Sequence, residues 1–159
     1  MKSRTAAILV ATISIARIAL AGGPPAELYT LNCWGCHKAH AEGIPGTVPR
    51  LRDSMGDFLH VPGGRAYLVQ VPGVAASSLS DAEVAAVLNW LLLTFNKSEM
   101  PRNFKPYTAA EVTRLRQNQL IRVTETRDEL VERLKKLGIR VPDDELAGVP
   151  AAVAAPAGH

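Results

Sequence analysis

The sequence Cys33-Trp34-Gly35-Cys36-His37 constrains this chain more than any other feature. It holds the only two cysteines of the chain and places a histidine directly after the second one. Two thiols at this spacing can form thioethers with the two vinyl groups of one porphyrin, and His37 then falls under the iron as an axial ligand. The pattern predicts one covalently attached haem c, around which a small domain must fold.

Two other kinds of site also use paired cysteines. A redox-active Cys-x-x-Cys belongs next to a βαβ pattern, and the sequence around Cys33 has none. A structural zinc site needs about four ligands at tetrahedral spacing. No second pair of Cys or His follows at a suitable distance. Haem attachment is therefore the interpretation that the motif favours.

The first 21 residues resemble a secretory signal peptide. Lys2 and Arg4 form a basic start, and residues 6–16 are apolar but too few to span a membrane. Residues 19–21 (Ala-Leu-Ala) then match a small-x-small cleavage site. We expect cleavage after Ala21 and export to the periplasm, an oxidising compartment in which free thiols would otherwise form disulfides.

The charge of the chain changes once the signal peptide is removed. The full sequence has 18 basic and 15 acidic side chains, a net charge of +3. Lys2, Arg4 and Arg17 leave with the signal peptide, so the mature chain has 15 side chains of each sign. Nucleic acids and anionic membranes select a clustered excess of Lys and Arg, so we expect neither as a partner. Arg17 interrupts the region after the apolar stretch, so the alternative is a retained N-terminal anchor, the only membrane association expected.

We predict an all-α chain. In its first half, proline and glycine residues mark where the helices begin and end. A first helix starts near Pro24-Pro25 and runs into the haem motif, and the breakers from Gly43 to Pro49 predict a loop. Pro62-Gly63-Gly64 forces a turn. Short helices are expected before and after that turn, over residues 51–61 and 65–71.

Three capping boxes, each a Ser or Thr followed three residues later by Glu, predict the later helices. The box at residues 80–83 precedes a helix that ends at Phe95 and is so apolar that it must be largely buried. The box at residues 108–111 opens a helix towards Leu120, and the box at residues 126–129 opens an amphipathic helix that stops at Gly138.

In this order the elements resemble the class I monohaem cytochromes c. The resemblance covers residues 24–96 and rests first on the haem motif after a short helix. Residues 48–51 (Val-Pro-Arg-Leu) stand where the family carries Pro-x-Leu. Residues 79–83 lead into a helix with Asn89-Trp90-Leu91, where the family has an aromatic–Leu pair.

The resemblance implies an all-α, cytochrome c-like fold around one covalently attached haem. In this fold the helix of Trp90 crosses the first helix. Cys33 and Cys36 attach the haem, and His37 ligates its iron. The resemblance also implies that the Pro49 carbonyl accepts a hydrogen bond from the His37 ring and so fixes its tautomer.

The sixth iron ligand is where the sequence departs from the family. Members commonly carry a distal Met-Pro pair a few residues before the capped helix, and here Val71 stands at that position. Met100, in Glu99-Met100-Pro101, repeats the Met-Pro pattern one helix later, and we predict it as the second ligand beside His37. Met55 and His60 are the other candidates, and an open site is the remaining alternative.

The resemblance does not explain the C-terminal part. We assign residues 22–99 to the haem domain, residues 100–145 to a helical extension, and residues 146–159 to a disordered Ala/Pro-rich tail. The apolar stripes of the extension must pack either on the haem domain or on a partner protein. In the second case a stripe of three leucines would dock a redox partner or a second copy of the chain: Leu130, Leu134 and Leu137.

We expect this chain to be a periplasmic one-electron carrier and not an enzyme, since no catalytic motif stands beside the haem motif. Its donor would be a dehydrogenase or a quinol-oxidising complex, and its acceptor an oxidase or a reductase. One alternative is a gas-binding or sensor protein with an open distal face lined by Phe58, Tyr67 and Val71. Another is a small haem subunit of a larger periplasmic dehydrogenase.

Overall fold

A computed structural model describes residues 23–142 of the chain. Seven α-helices lie within these residues: α1 (Pro25–Asn32), α2 (Trp34–His37), α3 (Gly64–Gln70), α4 (Pro72–Ala75), α5 (Asp81–Phe95), α6 (Ala109–Arg116) and α7 (Val123–Lys136). A short 3₁₀ helix, Asp57–His60, precedes α3. The helical fold class predicted from the sequence is confirmed.

Strands are absent from residues 23–142, where an isolated antiparallel bridge joins Ile44 and Val48. In the same range no helix combines the length and the apolar character that crossing a membrane requires. Two predictions fall outside the described residues: the signal peptide of residues 1–21 and the tail of residues 146–159.

Helices α1 and α5 pack against each other. α1 buries Leu28 and Tyr29, and the Tyr29 ring lies against Trp90 of α5 with a centroid distance of 5.4 Å. α5 begins at the predicted capping box, in which Ser80 accepts from the Glu83 backbone N–H and Glu83 accepts from the Ser80 backbone N–H. The contact that was expected between the first helix and the helix of Trp90 is therefore present.

The helix that was predicted over residues 51–61 does not form, and a buried asparagine binds the backbone of this stretch instead. Asn96 follows α5, and its side-chain oxygen accepts from the backbone N–H groups of Ser54 and Gly56 at 3.0 and 3.1 Å. Its amide nitrogen donates to the Leu91 carbonyl. Because these backbone groups are satisfied by a side chain, only the 3₁₀ helix forms in this stretch.

A glycine turn brings α3 against the 3₁₀ helix. Gly63 has a φ of +90°, a conformation that favours glycine, and a Cβ at Gly64 would overlap the Phe58 carbonyl. This close approach stacks Phe58 on Tyr67 with a centroid distance of 5.2 Å. α3 thus begins one residue before the predicted helix, and Pro72 starts the additional short helix α4, which the sequence did not predict.

Of the two later capping boxes, the box at residues 108–111 forms in part and the box at residues 126–129 does not form. At the start of α6, Thr108 accepts from the Glu111 backbone N–H, but the Glu111 carboxylate pairs with Arg65 of α3 instead of closing the box. The third box is wrong, because α7 begins upstream of Thr126. The Thr126 hydroxyl lies inside the helix and donates to the Arg122 carbonyl one turn earlier.

The extension packs on the haem domain and shares its core. Leu130 and Leu134 of α7 are 3% and 0% exposed, facing α3 and the 3₁₀ helix, whereas Leu137 is 60% exposed. Gly138, with a φ of +76°, follows the helix as predicted. A docking face or dimer contact built on all three leucines is excluded, because two of them are already buried within the chain.

The matched pair Leu134→Ala and Leu137→Ala measures what the extension contributes to stability. Leu134→Ala should lower the free energy of unfolding by about 2–5 kcal/mol, because it leaves a cavity in the core. Leu137→Ala should change it by less than about 0.5 kcal/mol, as exposed substitutions do. Denaturant unfolding of the full-length protein gives both values. Equal effects of the two substitutions would contradict the packing of α7.

Candidate haem site

One helical turn carries both cysteines and the histidine. Cys33 ends α1, and the backbone N–H groups of Cys36 and His37 both donate to its carbonyl, at 3.2 and 2.9 Å. Cys33 is half-buried, Cys36 is exposed, and neither is in a disulfide. Burial, with a smaller effect of Cys36, raises the pKa of the Cys33 thiol. The turn therefore presents two free thiols within four residues of chain.

The His37 ring is anchored by one of its nitrogens. Nδ1 lies 3.1 Å from the Pro49 carbonyl oxygen, the contact that the resemblance implies. Because a carbonyl only accepts, Nδ1 carries the proton and the lone pair is on Nε2. Burial lowers the pKa of His37, although the bond to Pro49 acts in the opposite direction. The lowered pKa and the fixed tautomer together suit a neutral imidazole that can bind a metal through Nε2.

A tight loop presents Pro49 to His37. Ile44 and Val48 exchange two backbone hydrogen bonds of 2.9 and 2.8 Å, and the Gly43 N–H donates to the His37 carbonyl at 3.1 Å. Gly43 has a φ of +69°, and a Cβ on it would overlap the Val48 carbonyl and lie 2.7 Å from the Pro49 carbonyl. Only glycine fits here without moving the group that orients His37.

The three residues that the sequence offered as a sixth ligand gather at the carboxyl end of α5. Met55 is buried, and the residues on either side of it donate backbone N–H groups to the Asn96 side chain. The Met100 N–H donates to the Asn96 carbonyl, and Met100 is half-buried against the core. Nε2 of His60 lies 2.8 Å from the Glu99 carbonyl oxygen.

This end of α5 is tied to the loop of Pro49. The Asp53 N–H donates to the Phe95 carbonyl at 3.0 Å, four residues after Pro49 in the chain. Because Nδ1 of His37 faces Pro49, Nε2 is the nitrogen that would hold an iron. The stretch after Pro49 and the carboxyl end of α5, where the three candidates gather, are therefore joined by a backbone hydrogen bond.

The connection between α3 and α5, residues 71–80, contains no sulfur or imidazole side chain. Val71, Val74 and Leu79 of this connection are half-buried and pack against the core. This is the segment in which the resemblance places a distal ligand. It supplies an apolar surface instead.

Two side chains that hold these segments were not predicted from the sequence. Asn96 holds the backbone around Met55, at separations of 42 and 40 residues. Arg116 donates to backbone carbonyls of residues 71–80 at separations of 37 to 41 residues. No local pattern marks either residue, because each acts on a distant part of the chain.

The chemistry of these groups fits one covalently attached haem c. Two free thiols lie within one turn, and the histidine beside them has one nitrogen fixed and the other free for a metal. A half-buried imidazole that is held neutral is a suitable axial ligand. Among the described residues, Cys33 and Cys36 would attach such a group and His37 would ligate its iron.

Comparison with known proteins points to the same cofactor. Residues 25–94 match the family model described as cytochrome c. A cytochrome c-552 of Thermus thermophilus is 33% identical over 150 residues, which cover 83% of this chain and 97% of that protein. Another cytochrome c-552 from the same species is 34% identical over 133 residues, covering 72% of this chain and 97% of the relative.

Gly43→Ala, with Gly46→Ala as its control, tests how the loop positions Pro49. Both glycines have a positive φ, +69° and +72°, but a Cβ at Gly46 would contact nothing within 4 Å. Gly43→Ala should displace the Pro49 carbonyl, weaken its bond to His37 and raise the reduction potential, since the ring then donates less charge to iron. Spectroelectrochemical titration of both variants measures this. An equal rise in Gly46→Ala would show that strain alone is responsible.

Proposed function

This chain belongs to the cytochrome c family, and we propose that it works in the periplasm as a one-electron carrier between two redox enzymes. Proteins of this family hold covalently attached haem c and transfer electrons. When bound, the haem supplies a one-electron couple between ferric and ferrous iron. In this proposal the side chains of the chain attach the haem, orient its ligand and contact the redox partners.

In the proposed site Cys33 and Cys36 form the two thioether bonds and His37 ligates the iron. Pro49 holds the His37 ring in one tautomer and one orientation. The observation that carries this proposal is the placement of two free thiols and an anchored imidazole on a single turn. A fixed axial ligand keeps the coordination the same in both oxidation states, which suits a carrier.

The proposed location and partners rest on other features. The N-terminal residues have the composition of a cleavable signal, which supports export to the periplasm. Beside the haem motif, Leu31 and Trp34 are 75% and 46% exposed. Such apolar side chains next to a redox group suit brief contacts with a dehydrogenase or quinol-oxidising donor and with an oxidase or reductase acceptor.

The cysteine roles are tested by the double variant Cys33→Ala/Cys36→Ala. It should lose all covalent haem, because no other thiol is present in the chain, and the apoprotein should be largely unfolded without its cofactor. Haem-stained gels of periplasmic extracts show this directly. Gly35→Ala is the control within the motif, since a Cβ there contacts nothing and both thiols remain. Undiminished covalent haem in the double variant would refute the site.

A second candidate function is binding of a small molecule at the iron. It is supported by the connection 71–80, the segment in which the resemblance places a distal ligand, because this segment contains no sulfur or imidazole side chain. In this case the sixth position would be open beneath the apolar connection, and a diatomic gas could reach the iron. The carrier with Met100 as sixth ligand remains the first prediction.

Substitution of the methionines decides between the two candidates. If Met100 ligates the iron, Met100→Ala should abolish the iron–sulfur charge-transfer band and lower the reduction potential, because a thioether favours ferrous haem. Met55→Ala should leave both unchanged. Optical spectra of the oxidised and reduced proteins provide the measurement. If neither variant changes the spectrum, methionine ligation is wrong, and His60→Ala with carbon monoxide addition then separates bis-His ligation from an open site.

A further inference from the structure

The guanidinium of Arg116, at the end of α6, binds the connection between α3 and α5. Nε donates to the Ala75 carbonyl at 3.1 Å, and Nη2 donates to the Ser77 carbonyl at 2.6 Å. Nη1 donates both to the Leu79 carbonyl and to Oδ1 of Asp81, each at 2.8 Å. One side chain thus satisfies three backbone carbonyls of the connection and reaches the first residue of α5.

Further hydrogen bonds support the contact between Arg116 and the connection, at both ends of the connection. Both oxygens of Asp81 are engaged, because Thr113 donates to Oδ2 at 2.6 Å. The bonds from Thr113 and Arg116 hold the pKa of Asp81 below its usual range, so the pair with Arg116 stays charged at neutral pH. At the start of the connection, the Leu120 N–H donates to the Gln70 carbonyl at 2.9 Å.

Apart from Arg116, the connection is held by the local hydrogen bonds of α4 and Ser77 and by the packing of its apolar side chains on the core. α4 contains four residues, too few to be stable as an isolated helix. The Ala75, Ser77 and Leu79 carbonyls bind the guanidinium, whose planar fork matches several acceptors at once. Since residues 71–80 contain no Met, His or Cys, a bond to iron cannot hold the segment either.

We propose that Arg116 is a positioning residue of the haem site, which holds residues 71–80 as an apolar wall against the haem. Arg116 fixes the position of this segment. A side chain bonded to the iron would have the same effect if the segment carried one. The wall consists of the half-buried Val71, Val74 and Leu79. This inference rests on the proposed function for the presence of the haem, and it assigns to the C-terminal extension a role in controlling access to the iron.

The test compares Arg116→Lys and Arg116→Gln with Arg114→Gln in the full-length, haem-loaded protein. Lys keeps the charge but loses the fork, and Gln loses both, whereas Arg114 is an exposed arginine of the same helix that makes none of these bonds. Two quantities are measured: hydrogen exchange of peptides covering residues 71–80, and the association rate of cyanide with the ferric haem.

Both Arg116 variants should accelerate exchange within residues 71–80 by about tenfold or more, since charge-assisted hydrogen bonds to this segment are lost. Exchange in α1 should stay at its wild-type rate. Cyanide association should become severalfold faster, because the wall opens more often, and Arg114→Gln should leave both quantities unchanged. Thr113→Val, which removes one bond to Asp81 and leaves Arg116 in place, should cause a smaller change in the same segment.

Other outcomes would overturn the proposal in distinct ways. Faster exchange throughout the chain, α1 included, would mean that Arg116 supports overall stability and not this segment. Faster exchange in residues 71–80 with an unchanged cyanide rate would mean that the segment does not cover the iron. Failure of the proposed function is separate, because it would appear as the absence of covalent haem from the wild-type protein, whose exchange pattern can still be measured.

Discussion

The hydrogen bond between the His37 ring and the Pro49 carbonyl joins the turn that carries the thiols to the rest of the molecule. It requires the tight loop that begins at Gly43, where a side chain would collide with the carbonyls that close the loop. The same stretch of chain then bonds to the end of α5 through Asp53 and Phe95. The orientation of the His37 ring is thereby coupled to the packing of α5. His37, the proposed iron ligand, therefore has little freedom to move.

The C-terminal extension is part of the same core and not an appendage. The Asn89 side chain of α5 exchanges two hydrogen bonds with the Tyr107 backbone, and the Tyr107 hydroxyl donates to the Arg65 carbonyl of α3. The Arg65 guanidinium lies 3.9 Å from the centre of the Tyr107 ring and pairs with Glu111. These contacts, together with buried Leu134, hold α6 and α7 on the haem domain. Leu130 and Leu134 are therefore not available to a redox partner, whereas Leu31 and Trp34 at the haem motif are exposed.

The extension also contacts the connection between α3 and α5. This segment has no side chain that could bond to iron, and its backbone carbonyls are taken up by Arg116 instead. A guanidinium can hold several carbonyls at fixed directions, so the segment is ordered without a coordination bond. If haem iron were bound at His37, its coordination would not be what orders this segment, whereas a ligand carried by the segment would link the two.

The sequence by itself determined those features whose physical cause is local. Two thiols and a histidine on one turn identify the haem motif, Pro25 starts α1, and the capping box of Ser80 and Glu83 starts α5, because each signal acts within a few residues. It could not show that Thr126 lies inside a helix. Apolar periodicity established that α7 must bury one face, but only the tertiary structure showed which surface covers Leu130 and Leu134. Asn96 and Arg116 likewise act on backbone groups roughly 40 residues away, and such partners are set by the packing of the whole chain.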